Sequence, residues 1–151
     1  MTVGGRWRTF GRLGHNHIVV SGGCLCGAVR YEIDGRISPI VLCHCSKCRK
    51  ANGSAFHSGS VCRERKFRWV SGRDAITRFE TESGYTTQFC STCGSPVPSE
   101  PNSEGLVVLP TGALDQDPGS RPFGHIWVGS KAAWFEIADD LPQRSEGDGT
   151  P

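Results

Sequence analysis

Cys43-His44-Cys45-Ser46-Lys47-Cys48 places three thiols within six residues, spaced C-x-C-x-x-C. Two further pairs stand far away on either side, Cys24-Leu25-Cys26 upstream and Cys90-Ser91-Thr92-Cys93 downstream. The eighth cysteine, Cys62, has no companion at ligand spacing. A structural zinc takes four protein ligands, whereas a zinc that meets a substrate takes three and keeps a position open. Four cysteines in two pairs and three in one cluster therefore predict one site of each kind.

The residues around these thiols read as short strands and turns. Ile18-Val19-Val20 opens the folded part, and Ser21-Gly22-Gly23 is read as a turn into the first cysteine pair. Ala28 to Ile33 alternates apolar and polar residues, the period of a half-buried strand. Ile40-Val41-Leu42 is a β-rich run that delivers the chain directly into Cys43. Residues 46–51 predict a short helix with Ser46 as N-cap, ended by Asn52-Gly53. Such a helix would aim its free N–H groups near the thiols. Further β-like runs follow at 55–61, 66–70, 75–80, 85–89 and 106–109, with Pro122 to Trp127 and Trp134 to Ile137 as the last apolar pieces. Gly72, Gly84 and Gly94 punctuate them. The chain is predicted to be mainly β with little helix.

At 151 residues this is one domain's worth of chain, able to bury roughly 70% of its unfolded surface. Its apolar content is a modest 36%, and 20 Gly with 9 Pro imply many turns, so bound metal would help it fold. We expect a loose Arg- and Gly-rich leader over 1–17, a zinc-binding domain over 18–141 and a polar tail over 142–151. A formal charge of +2 gives no support to a nucleic-acid or anionic-membrane partner. No apolar run approaches the ~20 residues of a membrane span, and no secretory stretch is visible. The expected compartment is the cytoplasm, where thiols stay reduced and clustered cysteines mean metal or catalysis before disulfides.

The two sets of thiols imply different chemistry. Pairing Cys24 and Cys26 with Cys90 and Cys93 saturates a zinc ion and leaves no place for a substrate. Cys43, Cys45 and Cys48 leave the fourth position to be filled. Candidates are His44, Cys62, His57, His125, or a water or substrate sulfur in an open position. His44 lies between two ligands on extended chain, so its side chain should point away from theirs. Cys62 reads as a buried, inert thiol. A cation held by three thiolates is a poor generator of hydroxide and a good holder of a soft ligand, so a small thiol is the natural substrate. Lys47, Arg49 and Lys50 would then meet carboxylates on that substrate, or simply form a solvated helix face. No residue stands out as a general base.

Gly22 to Tyr31 is similar to the opening motif of the glutathione-dependent formaldehyde-activating family, also called centromere-protein-V-like. Cys43-His44-Cys45 to Lys50 with Gly53 to Phe56, Phe89 to Gly94, and His125-Ile126-Trp127 with Trp134 resemble its later motifs, in order. The resemblance implies a β-tent fold of short antiparallel sheets. It implies a structural zinc on Cys24, Cys26, Cys90 and Cys93, and a second zinc on Cys43, Cys45 and Cys48 beside the substrate cleft. The activity it implies is that of a carbon–sulfur lyase interconverting glutathione plus formaldehyde with S-(hydroxymethyl)glutathione. The competing expectation is a zinc-stabilised module for a protein partner, which a protein ligand closing the three-cysteine site would favour.

Overall fold

The structure is a computed structural model that describes residues 18–147; the leader expected over 1–17 and the last residues, 148–151, lie outside the described residues. Among the described residues, nine strands and one α-helix follow one another in short pieces. They are β1 (Val19–Gly23), β2 (Arg30–Asp34), β3 (Ile40–Cys43), α1 (Ser46–Asn52), β4 (His57–Arg63), β5 (Phe67–Ser71), β6 (Ile76–Glu80), β7 (Thr86–Cys90), β8 (Leu106–Pro110) and β9 (Pro122–Ile126). They form three small sheets, ordered β1-β2-β5, β8-β4-β3-β9 and β6-β7. The expected mainly β architecture of short sheets is observed. Every pairing is antiparallel except that of β3 with β9, which is parallel.

Alternation along the strands builds the core. Val20, Tyr31 and Ile33 from the first sheet meet Cys62, Val107 and Leu109 from the second, with Ile37 between them. Phe67 and Trp69 of β5 close the edge of this cluster over Tyr31, in ring contacts of 5.7 and 6.0 Å. A second, smaller cluster contains Val29 and Val97 together with Cys24 and Cys90. Two of the predicted metal ligands are thus also core residues, and this is where the β6-β7 hairpin joins the first sheet.

Three local expectations are corrected. Ser21-Gly22-Gly23 is not a turn: β1 runs through to Gly23, with Gly22 opposite Tyr31. A Cβ at Gly22 would lie 2.5 Å from the Tyr31 ring, so glycine is required there by the close approach of an aromatic side chain. The helix cap is Cys45, not Ser46, because Cys45 holds the extended conformation while Ser46 is already helical. The strand read at 55–61 begins at His57 and extends to Arg63, since Ser54 still bonds back to Arg49 as the helix ends. Hydrogen bonding also continues past Leu141: His125 N–H donates to the Pro142 carbonyl and Arg144 N–H to the His125 carbonyl. No helix among the described residues is long and apolar enough to cross a membrane.

The shift in β4 decides the place of Cys62. It pairs with Val107 and is 4% exposed inside the main core, where burial pushes its thiol up to about 11. It is a packed apolar side chain rather than a ligand. Cys62→Ala should leave the metal content unchanged and cost about 1–2 kcal/mol in a denaturant titration. Loss of a metal equivalent would instead place Cys62 in a coordination shell.

Candidate metal centres and the cleft beside them

The first centre is assembled from two turns. After β1 the chain folds back so that Cys24 N–H bonds the Val29 carbonyl and Gly27 N–H bonds the Cys24 carbonyl. After β7, Gly94 N–H returns to the Cys90 carbonyl at 2.8 Å. Gly27 and Gly94 sit at φ 80° and 74° with open space around them, so glycine serves the left-handed backbone and not a tight fit. Leu25 N–H donates to Ser95 Oγ at 3.0 Å and links the two turns directly. The four sulfurs of Cys24, Cys26, Cys90 and Cys93 all lie within 4.8 Å of one another.

Those separations fit a metal. Tetrahedral zinc with Zn–S bonds of ~2.3 Å sets sulfurs about 3.8 Å apart, and here Cys24–Cys26 and Cys26–Cys90 are 3.5 and 3.8 Å. Val29 N–H donates to Cys24 Sγ at 3.2 Å, the backbone support that zinc-bound thiolates commonly have. Cys24 and Cys90 are buried, Cys93 is half-buried and Cys26 is exposed. The donor set is complete and self-contained.

The second centre grows out of β3. Its end is clamped on both sides, by β4 with Cys43 opposite His57 and by β9 with Cys43 opposite Ile126. The next turn carries Cys45 as the cap of α1, with Cys48 N–H donating to its sulfur at 3.3 Å, and Cys48 follows inside the helix. The sulfurs of Cys43, Cys45 and Cys48 lie within 4.8 Å of one another. A hydrogen bond with Cys48 pulls the Cys43 thiol down to about 6, burial opposing it, and the Cys48 thiol moves up correspondingly. Three soft donors converge at one point, as the ligand spacing predicts.

None of the candidate fourth ligands joins them. His44 points away, as its place on extended chain requires, and is fully buried with Nε2 2.8 Å from His125 Nδ1. His125 Nε2 lies 3.1 Å from both carboxylate oxygens of Asp139, completing an Asp139–His125–His44 chain behind the cysteines. Phe56 and Phe135 pack against the His44 ring. His57 bonds Asn52, and Cys62 lies in the core. Among the described residues, no further His, Cys, Asp or Glu completes the cluster.

A cleft of about 450 Å³ opens beside Cys48, lined among others by Asn52, His57, Tyr85 and Gln88. A neighbouring cavity of about 520 Å³ lies on the other side of Asn52 and His57 and reaches Cys24 and Arg30. Tyr85 Oη is 4.0 Å from Cys48 Sγ, and burial, followed by the cluster's charge, pushes its phenol up. Burial lowers His57 below the ordinary histidine value, so its ring is neutral at pH 7. Of the basic residues expected to face a substrate, Arg49 is engaged with the His44 and Ser130 carbonyls and Lys47 with Ser83 Oγ, while Lys50 is exposed. The sequence did not point to Asn52, Tyr85, Gln88 or Asp139. Only Asn52 carried a signal, as a helix terminator.

A family model described as glutathione-dependent formaldehyde-activating enzyme matches residues 19–130. Among solved structures, the chain is similar to a crystal structure of a Rhodobacter sphaeroides protein, with a TM-score of 0.52 and 21% identity. That likeness covers 67% of this chain and 97% of the other, and shows a shared fold.

The two centres should respond differently to ligand loss. Structural zinc supplies an apparent ~10–16 kcal/mol in small zinc-binding folds, against net domain stabilities of ~5–15 kcal/mol. Cys90→Ser should therefore abolish the cooperative thermal transition. Cys45→Ser should keep it and lower bound zinc from two equivalents to about one, measured by elemental analysis. The opposite pattern would exchange the roles of the two sites.

Proposed function

The chain belongs to the glutathione-dependent formaldehyde-activating enzyme family, and we propose that it is a zinc-dependent carbon–sulfur lyase acting on the adduct of a small thiol with an aldehyde. The reaction is of the type glutathione plus formaldehyde to S-(hydroxymethyl)glutathione. It takes place in the cytoplasm with two zinc ions per chain. Cys24, Cys26, Cys90 and Cys93 hold the structural ion, and Cys43, Cys45 and Cys48 hold the one that meets substrate.

The observation that carries this reading is the incomplete donor set beside a cleft. Three cysteines converge, no histidine nitrogen among the described residues joins them, and Cys48 lines a cavity large enough for a peptide-sized thiol. A module whose zinc is purely structural has no use for that arrangement. When bound, the metal supplies a soft cation on which a thiol is held as its thiolate, ready to act as nucleophile or leaving group. The chain does the rest. Pairing of β3 with β4 and β9 holds the Cys43 end rigid, and the Asp139–His125–His44 chain fixes the residue between two ligands. Phe56 and Phe135 pack against the His44 ring and against each other.

The uncatalysed addition of glutathione to formaldehyde sets the baseline. Exchange between free formaldehyde and S-(hydroxymethyl)glutathione, followed by NMR magnetisation transfer, should be at least tenfold faster with micromolar zinc-loaded protein than in buffer. Cys45→Ser should return it to the buffer rate. Native protein that leaves the exchange unchanged would contradict the lyase assignment.

A further inference from the structure

Asn52 closes helix α1 and donates from Nδ2 to the Cys48 carbonyl at 2.8 Å. That bond settles which end of the amide is which, so its Oδ1 is the atom 3.3 Å from His57 Nδ1. A carbonyl oxygen only accepts, hence Nδ1 carries the hydrogen and Nε2 of the neutral ring presents a lone pair. Among the described residues no hydrogen bond reaches Nε2.

The edge of the ring that bears this lone pair lies beside Gly59, where no side chain covers it. Gly59 is the next residue on the same face of β4, and a Cβ built there would lie 3.0 Å from His57 Nε2 and 3.1 Å from Cδ2. A side chain at that position would press on the nitrogen. His57 also lines both cavities, together with Asn52, Pro96 and Pro110, and one of the two contains Cys48. An oriented acceptor thus stands in the wall between two open spaces, one of them bordered by the three-cysteine cluster.

We propose that His57 Nε2 accepts the hydroxyl hydrogen of the thiol–aldehyde adduct and is a catalytic residue of the reaction, an assignment that rests on the lyase reading. In breakdown, the O–H proton passes to Nε2 and the oxygen's electron pair forms the C=O bond. The C–S bond then breaks with its pair left on sulfur. In addition, Nε2 first takes the proton that the incoming thiol gives up, sulfur attacks the carbonyl carbon, the π pair moves to oxygen, and oxygen takes that proton back from Nε2. No further reagent is needed in either direction. Asn52 is a positioning residue that acts by fixing the ring's tautomer. The substrate class follows: adducts with a hydroxyl on the carbon next to sulfur, and not thioethers that lack it.

The test uses the zinc-loaded full chain and two variants. His57→Asn keeps a donor near the Nδ1 position and removes the acceptor, whereas His57→Gln keeps a polar group near the Nε2 position. Zinc content and thermal transition report folding, so either variant can carry the test. Calorimetry compares S-(hydroxymethyl)glutathione, kept as the adduct by excess formaldehyde, with S-methylglutathione, which lacks only the hydroxyl. Native protein should prefer the hydroxylated ligand by about fivefold to tenfold, the worth of one hydrogen bond. The preference should vanish in His57→Asn with the affinity for S-methylglutathione unchanged, and persist in part in His57→Gln. The protein's contribution to the formaldehyde exchange rate, above the buffer rate, should fall by roughly 10²-fold or more in His57→Asn. An unchanged preference and exchange rate in His57→Asn, with native protein active, would overturn the role of His57 alone. Native protein that binds neither ligand and does not speed exchange would overturn the lyase reading, and this assignment with it.

Discussion

The clasp between two cysteine turns is the constraint on which the rest depends. It joins Cys24 and Cys26, at the end of β1, to Cys90 and Cys93, at the end of β7, and so closes most of the domain into one loop. The chain has few other means of holding these pieces together. Its strands are four to seven residues long and its sheets have two to four strands. The apolar cluster at the clasp consists of Val29, Val97 and the two buried cysteines themselves. A metal held by these four thiols would supply there what a larger core would otherwise provide, and the Leu25 to Ser95 hydrogen bond ties the turns independently of any metal.

The second cluster is built on different terms. Its first cysteine lies at the end of a strand paired on both sides, and its last lies in a helix whose cap is the middle cysteine. The ligands are therefore positioned by backbone pairing, not by one another, and the cluster can stay incomplete without the fold suffering. A metal site that meets a substrate would need this separation: geometry held by rigid elements, with one coordination position left over. His44 shows the logic at a single residue. Placed between two ligands, it turns to the opposite side of the chain and anchors the segment through His125 and Asp139.

Much of this was legible in the cysteines. Their spacing divided them into a set of four and a set of three, the same two groups of thiols that the fold brings together, and the alternation rule placed His44 on the far side. The strands were readable because half-buried segments alternate, as in Tyr31 and Ile33 of β2. What was not legible depended on distant partners. Gly22 looked like a turn residue because nothing nearby reveals that the Tyr31 ring would occupy its side-chain space. The parallel pairing of β3 with β9 joins segments about eighty residues apart, and no local pattern encodes it. His57 was weighed only as a ligand. Its oriented lone pair arises from a three-residue relay through Asn52 to the Cys48 carbonyl, which exists only after the helix has ended and β4 has folded back.

The central claim is that one centre is closed by four cysteines and the other waits for a substrate sulfur. X-ray absorption at the zinc edge, on protein carrying two zinc ions, counts the sulfurs directly. Without added thiol the average should be about 3.5 sulfurs per zinc, from one four-cysteine and one three-cysteine shell, with a lighter atom making up the difference. Saturating glutathione should raise it to about 4. An average already at 4 before glutathione, or one that glutathione leaves at 3.5, would contradict the account.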